Sequence, residues 1–135
     1  LAAAQSMPDE SDPRIASVIV YSTSYSIERW EGFCAKESPA SAPALASARE
    51  EWMESHSALL EQAATILQSN YSRDERLKIA VQARLTNDEL ESKLSAAPLA
   101  TRRQWCNESA QRILSPEMDL KQRATLVRAM EEASS

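Results

Sequence analysis

Two cysteines are the most reactive side chains in this chain of 135 residues, and each directly follows a large aromatic ring. Cys34 ends the stretch EGFC, and Cys106 ends the stretch RRQWC. Thiols form disulfides, bind metals or exchange electrons, but the last two uses generally need a CxxC pair or nearby histidines, which the sequence lacks. We therefore predict one intramolecular disulfide, Cys34–Cys106, and an oxidising compartment in which it persists.

The single histidine, His56, has no apparent catalytic partners. A general base needs a positioned partner, and a metal needs several ligands, whereas only one histidine is present. The spacing places His56 between Trp52 and Leu59 on an apolar helix face. This pattern is typical of a packed ring that is hydrogen-bonded to a carbonyl or carboxylate. We expect no catalytic residue, no metal and no cofactor.

The residue types argue against a phosphate-binding loop and do not by themselves indicate a hydrolase site. Gly32 is the single glycine, which excludes a glycine-rich phosphate loop. Adjacent acids such as Glu50–Glu51 and Asp74–Glu75 would serve a hydrolase only if two carboxylates faced each other across a cleft. We interpret these acids as helix surface and helix caps. A carboxylate enzyme stays an open alternative, and our prediction is that the protein is not an enzyme.

The beginning of the chain, LAAAQSMPDESDP, is typical of a processed secretory protein. An apolar residue followed by small ones matches the end of a signal peptide. We predict a secreted or periplasmic bacterial protein, with residues 1–11 as a disordered tail after signal-peptide removal and residues 12–135 as a single all-α domain. No stretch approaches the roughly 18 uninterrupted apolar residues of a membrane-spanning helix, so we expect no membrane span.

The first predicted helix covers residues 13–36. Asp12–Pro13 is typical of an N-cap followed by proline at the first helical position. Ser22 and Ser26 lie on the apolar side of this helix and leave room for an approaching helix or for water. Residues 17–21 are β-prone by composition, and this is the one stretch for which a short strand is the alternative.

The strongest amphipathic pattern predicts a second helix over residues 43–69. Its apolar stripe repeats every seven residues, at Leu45, Trp52, Leu59 and Ile66. The opposite face carries three acidic side chains, Glu50, Glu54 and Glu61.

Helix starts in the second half of the chain are indicated by capping signals. Ser72 with Glu75 fits a capping box, and Thr86 with Glu89 repeats that pattern. The first of these two predicted helices carries Leu77, Ala80, Val81 and Leu85 as its apolar residues. Further helices are predicted over 99–114 and from Ser115 onwards. The predicted fold is an all-α compact bundle of five or six helices with one disulfide.

The charge distribution indicates the kind of partner. Residues 1–71 carry a net charge of −6 and residues 72–135 a net charge of +1, so we expect no nucleic-acid partner. Exposed glutamates can steer a basic partner, and aromatic side chains can anchor it. We predict that the protein binds another protein, of unknown identity, through Glu50, Glu54, Glu61, Tyr21 and Tyr25. The sequence leaves the oligomeric state open.

The alternative function is a helix-turn-helix DNA-binding protein. Residues 85–105 have that outline, with a short helix, a turn and a second helix that carries Arg102 and Arg103. A proline instead of a glycine stands in the turn, and a DNA reader usually has a basic face, which an acidic chain does not favour.

The processed-looking start, the stretches GFC and QWC, and the helix start SPEMDL resemble small secreted bacterial all-helical proteins of unknown function. Type VI secretion immunity proteins also include small exported helical proteins with a disulfide. The resemblance implies an exported helical protein without catalytic residues to carry over. We therefore expect a regulatory, inhibitor, immunity or virulence-associated role.

Overall fold

The computed structural model describes residues 9–133, which form six α-helices and three short 3₁₀ turns, with no strand among them. The helices are α1 Pro13–Glu37, α2 Ala42–Ser55, α3 Ser57–Asn70, α4 Arg73–Ala96, α5 Leu99–Ile113 and α6 Ala124–Ala133. The 3₁₀ turns are Pro39–Ser41, Pro116–Met118 and Leu120–Gln122. The predicted all-α bundle is confirmed, and residues 17–21 are helical. None of the described helices is both long and apolar enough to span a membrane.

Helix α1 is the centre of the bundle, because it contacts each of the other five helices. It begins as predicted, with the Asp12 carboxylate accepting a hydrogen bond of 2.9 Å from the backbone N–H of Arg14. Its inward face consists of small and branched side chains that are almost fully buried: Ala16, Val20, Ile27 and Cys34. Such side chains allow neighbouring helices to approach closely.

The heptad stripe of the predicted second helix is buried as expected, at Leu45, Trp52, Leu59 and Ile66. The predicted single helix over 43–69 is nevertheless wrong, because His56 separates α2 from α3. At His56 the backbone leaves helical geometry for one residue, with φ −105° and ψ 13°. The ring of His56 accepts a hydrogen bond from the backbone N–H of Leu120, which is distant in sequence. The helix therefore breaks at a residue with a long-range contact, which the sequence around His56 does not indicate.

Helix α4 is continuous, and the predicted second start at Thr86 is wrong. The hydroxyl of Thr86 donates to the carbonyl of Gln82 at 3.0 Å, and the amide of Asn87 donates to the carbonyl of Ala83 at 2.9 Å. Both side chains therefore bond within the helix instead of capping a new one. The start at Ser72 is confirmed as a reciprocal capping box with Glu75.

The last helix begins at Ala124 and not after Ser115. Two 3₁₀ turns occupy the preceding segment. Backbone groups of these turns, which an α-helix would use for its own hydrogen bonds, are bonded to side chains of the α2–α3 region instead. The carbonyl of Met118 accepts from Trp52 Nε1 at 2.9 Å, and the N–H of Leu120 donates to His56 Nε2 at 3.1 Å. These long-range bonds hold the turns in place.

The predicted disulfide is confirmed. Cys34 near the end of α1 is bonded to Cys106 in α5, with 5.6 Å between their Cα atoms, and both residues are buried. Trp105 packs edge-on against Trp30 and Phe33, at centroid distances of 5.5 and 6.4 Å. The aromatic neighbours of the two cysteines therefore pack together beside the bond.

The beginning of the described chain contacts its last helical region. Residues 1–8 of the predicted tail lie outside the described residues. The next three residues form a turn in which Asp9 Oδ1 accepts from Ser11 N–H at 3.0 Å. Glu10 makes two hydrogen bonds of 2.5 and 3.0 Å with Arg123, which joins the start of the described chain to the residue before α6.

Candidate interaction surface

Helix α4 carries apolar side chains on two opposite faces. Ala83, Asn87 and Leu94 are buried against the bundle. The opposite face, here called the α4 outer face, consists of Leu77, Val81 and Leu85. Leu77 is 62% exposed and Leu85 is 50% exposed. Fully burying one leucine side chain is worth about 1.5–3 kcal/mol, and these two partly exposed leucines together leave about that amount unused.

Basic side chains surround the α4 outer face. Residues 73–85 carry a net charge of +2 in a chain whose formal net charge is −5. Arg73, Lys78 and Arg84 are exposed and make no ion pair with any described residue. Glu75, in contrast, is paired with Arg14 at 3.0 Å. Asp74 is also exposed and makes no ion pair with the described residues, so the surround of the face includes one acid and stays net positive.

A groove of about 390 Å³ runs between α1 and α4. Its lining includes Val18, Ser22 and Ser26 from α1 and Lys78, Ile79 and Asn87 from α4. The amide of Asn87 donates to the Ser26 hydroxyl at 3.1 Å and joins the two helices. No acidic residue is part of the lining among the described residues. The room expected beside Ser22 and Ser26 is thus present as an open groove of a size typical of binding pockets.

The predicted acidic contact residues remain exposed but lie on two helices. Glu50 and Glu54 are on α2, whereas Glu61 is on α3, beyond the break at His56. The three do not form one stripe on a single helix. Their role in partner binding stays a prediction.

The two predicted aromatic anchors are half-buried and interact with each other. Tyr21 and Tyr25 stack with 6.2 Å between ring centroids, and Tyr25 accepts a hydrogen bond of 3.1 Å from Arg29. Burial raises the pKa of the Tyr21 hydroxyl. Tyr21 also lines a hollow with Leu67 and with residues of α4, so it lies close to the α4 side of the molecule.

Residues 85–105, the alternative DNA-binding segment, do not form the expected short helix, turn and second helix. Helix α4 runs unbroken to Ala96, so the short first helix of the motif is absent from this part of the described chain. Arg102 donates to Glu37 at 3.2 Å and to the carbonyl of Ala97 at 2.6 Å. Only Arg103 of the basic pair is exposed, so the two arginines do not form a common basic edge.

Two of the three carboxylates that share a hollow are bonded to arginines. Glu28, Glu37 and Glu91 line it together, but Glu37 is bonded to Arg102. Glu91 and Asp88 are both bonded to Arg29, and the hydrogen bond with Asp88 raises the pKa of that guanidinium. Within residues 9–133 no group of three or more acidic, histidine or cysteine side chains could hold a metal ion. The absence of enzymatic activity stays a prediction.

His56 is a fully bonded structural histidine. Its Nδ1 lies 2.9 Å from the carbonyl of Trp52, and its Nε2 accepts the Leu120 N–H. This arrangement requires a neutral ring with the proton on Nδ1. Asp119 Oδ1 lies 3.4 Å from Nε2 and favours protonation, but burial has the larger effect and lowers the pKa of His56 below 6.5.

We expect His56 to make the protein acid-sensitive. Because its pKa is lower in the folded state, the unfolded chain takes up the proton first, and the contribution of His56 to stability is complete above pH 6.5 and decreases below it. Lys121 opposes protonation of the ring, while Asp119 favours it. Urea unfolding of wild type and His56→Gln at pH 7.5 and pH 5 should show a stability difference that shrinks at the lower pH. A difference that is constant or grows would contradict this assignment.

No family model, curated protein or solved structure matches this chain.

Proposed function

We propose that this chain is a non-enzymatic protein that acts by binding another protein through the α4 outer face. The observation that supports the proposal is the pair of exposed leucines, Leu77 and Leu85, which lie two turns apart on either side of the partly buried Val81. Scattered exposed leucines are ordinary on protein surfaces, but aligned ones beside a groove are typical of interaction sites. The glutamates of α2 and α3 form a second proposed contact region.

The proposed compartment is an oxidising one, outside the cell or in the periplasm. The buried bond between Cys34 and Cys106 supports this, because disulfides of this kind are rare in reducing compartments. A regulatory, inhibitory, immunity or virulence-associated role would be consistent with such a binding protein.

Site-specific photo-cross-linking tests the proposed binding face. A benzophenone amino acid is placed at position 85, at position 50 on the acidic surface, or at position 103 on α5, and the protein is produced in its source cells. We expect a discrete cross-linked protein partner from position 85 and none from position 103. The double variant Leu77→Glu/Leu85→Glu should unfold within a few degrees of wild type, because both side chains are at least half exposed, and should lose the partner.

The other outcomes each contradict part of the proposal. A partner that cross-links from position 50 and not from position 85 would move the binding face to the acidic surface. Equal cross-linking from positions 85 and 103, or a partner still bound by the double variant, would show that the α4 outer face is not the binding site.

A further inference from the structure

We infer that the segment bound at this surface is an acidic polypeptide segment whose large apolar side chain enters the groove between α1 and α4. The inference rests on the proposed function, since it names the chemistry of the partner at the same face. Three features of the described residues support it: the continuity of the outer face with the groove, the apolar walls of the groove, and the unpaired cations that flank the outer face.

The α4 outer face and the groove are adjacent surfaces of one helix. Residues three, four and seven positions apart lie on the same side of an α-helix. Lys78, Gln82 and Leu85 follow this spacing, and the first two of them line the groove. A bound segment that covers Leu85 therefore also reaches the edge of the groove.

The groove suits an apolar side chain more than a charged one. Its walls include Val18 and Ile79 from opposite helices, and its polar lining consists of hydroxyl and amide groups apart from Lys78. Ser26 already accepts the amide of Asn87, which anchors the floor of the groove. Burial of a leucine or aromatic side chain here would supply most of the affinity, as anchor residues do in other interfaces.

The charges around the α4 outer face select against a basic partner. Lys78 lies on its groove side, whereas helical spacing places Arg73 and Arg84 on its other side. All three are exposed and make no ion pair within the described part of the chain. Asp74 shares the face and offsets one of these charges, and the remaining positive charge attracts acidic residues. Reversing the cations would set like charges against an acidic segment, which costs more affinity than the loss of an exposed ion pair.

A peptide selection tests the chemistry directly. The folded, oxidised protein is immobilised and used to select from a phage-displayed library of random 16-residue peptides. We expect the enriched peptides to be net acidic and to contain at least one leucine, phenylalanine or tryptophan. Affinities of one enriched synthetic peptide for the protein variants are then measured by fluorescence anisotropy.

Two variants and their matched controls locate the binding site. Ser22→Phe fills the groove, and Lys78→Glu/Arg84→Glu reverses the charge on both sides of the α4 outer face; each should weaken binding of the peptide by about tenfold or more. Ser47→Phe and Arg103→Glu introduce changes of the same kind at exposed positions on α2 and α5 and should leave the affinity unchanged. The charge-reversed variant alters exposed side chains alone, so it remains informative if Ser22→Phe fails to fold.

The failure of this inference can be distinguished from failure of the proposed function. Enriched peptides that are neutral or basic, or no enrichment over the folded charge-reversed variant, would overturn the inference, as would an affinity unaffected by charge reversal. If a partner still cross-links from position 85 in such a case, the proposed function stands and the partner has a different chemistry. If position 85 gives no specific cross-link, the proposed function itself is wrong.

Discussion

Replacing both cysteines with alanine should lower the free energy of unfolding by about 4 kcal/mol. The bond joins residues that are 72 positions apart, and the chain-entropy model gives this magnitude for a closed loop of that length. Alanine is the suitable replacement because both positions are almost completely buried, where a serine hydroxyl would add a cost of its own. Urea unfolding of the oxidised wild type and the double variant, without reductant, measures the difference.

Reduction provides the control for the double variant. Wild-type protein unfolded in the presence of dithiothreitol should lose a similar amount of stability, whereas the double variant should be insensitive to reductant. If the native protein alkylates at two thiols without prior reduction, or if reductant leaves its stability unchanged, then the bond does not stabilise the protein and the proposed oxidising compartment loses its support.

The second large effect is expected at Trp52. The ring is 2% exposed and stacks on His56 with 4.0 Å between ring centroids, and its Nε1 donates to the carbonyl of Met118. Trp52→Ala should therefore cost about 3–5 kcal/mol. It also removes one of the two side-chain bonds that hold the turns before α6, so we expect faster hydrogen exchange in α6.

Two variants separate packing from hydrogen bonding at this position. Trp52→Phe keeps most of the buried ring and loses the N–H, so its cost should lie below that of the alanine variant. Leu77→Ala, at a residue that is 62% exposed, should change stability by about 0.5 kcal/mol or less. A Trp52→Ala variant as stable as Leu77→Ala would show that the ring is not part of the core.

The regular pattern of the chain made its core predictable. Leu45, Trp52, Leu59 and Ile66 are buried because a heptad stripe keeps one face towards the bundle, even across a one-residue break. The break itself was not predictable, because His56 bonds to Leu120, 64 residues later. Helix boundaries that depend on such long-range hydrogen bonds leave no signal in the local sequence. The late start of α6 has the same cause.

The candidate surface was missed for a related reason. Treating Thr86 as a helix cap divided α4 into two short helices, and Leu77 and Leu85 then stood only as apolar residues of the first one. A single helix over 73–96 would have shown two apolar faces. One carries Ala83 and Leu94, which are buried, and the other is the α4 outer face. The sequence does indicate a continuous helix, because neither proline nor glycine stands near Thr86 to end it.

The central position of α1 has a consequence for the order of events during synthesis. This helix precedes every helix that it contacts, so its apolar face emerges before any of its partners exist. At about 5–20 residues per second, the stretch between the ends of α1 and α6 takes roughly 5–20 s to make. Throughout that interval Val20 and Ile27 lack the complete core that later covers them. The nascent chain must therefore reach α6 before its core can close.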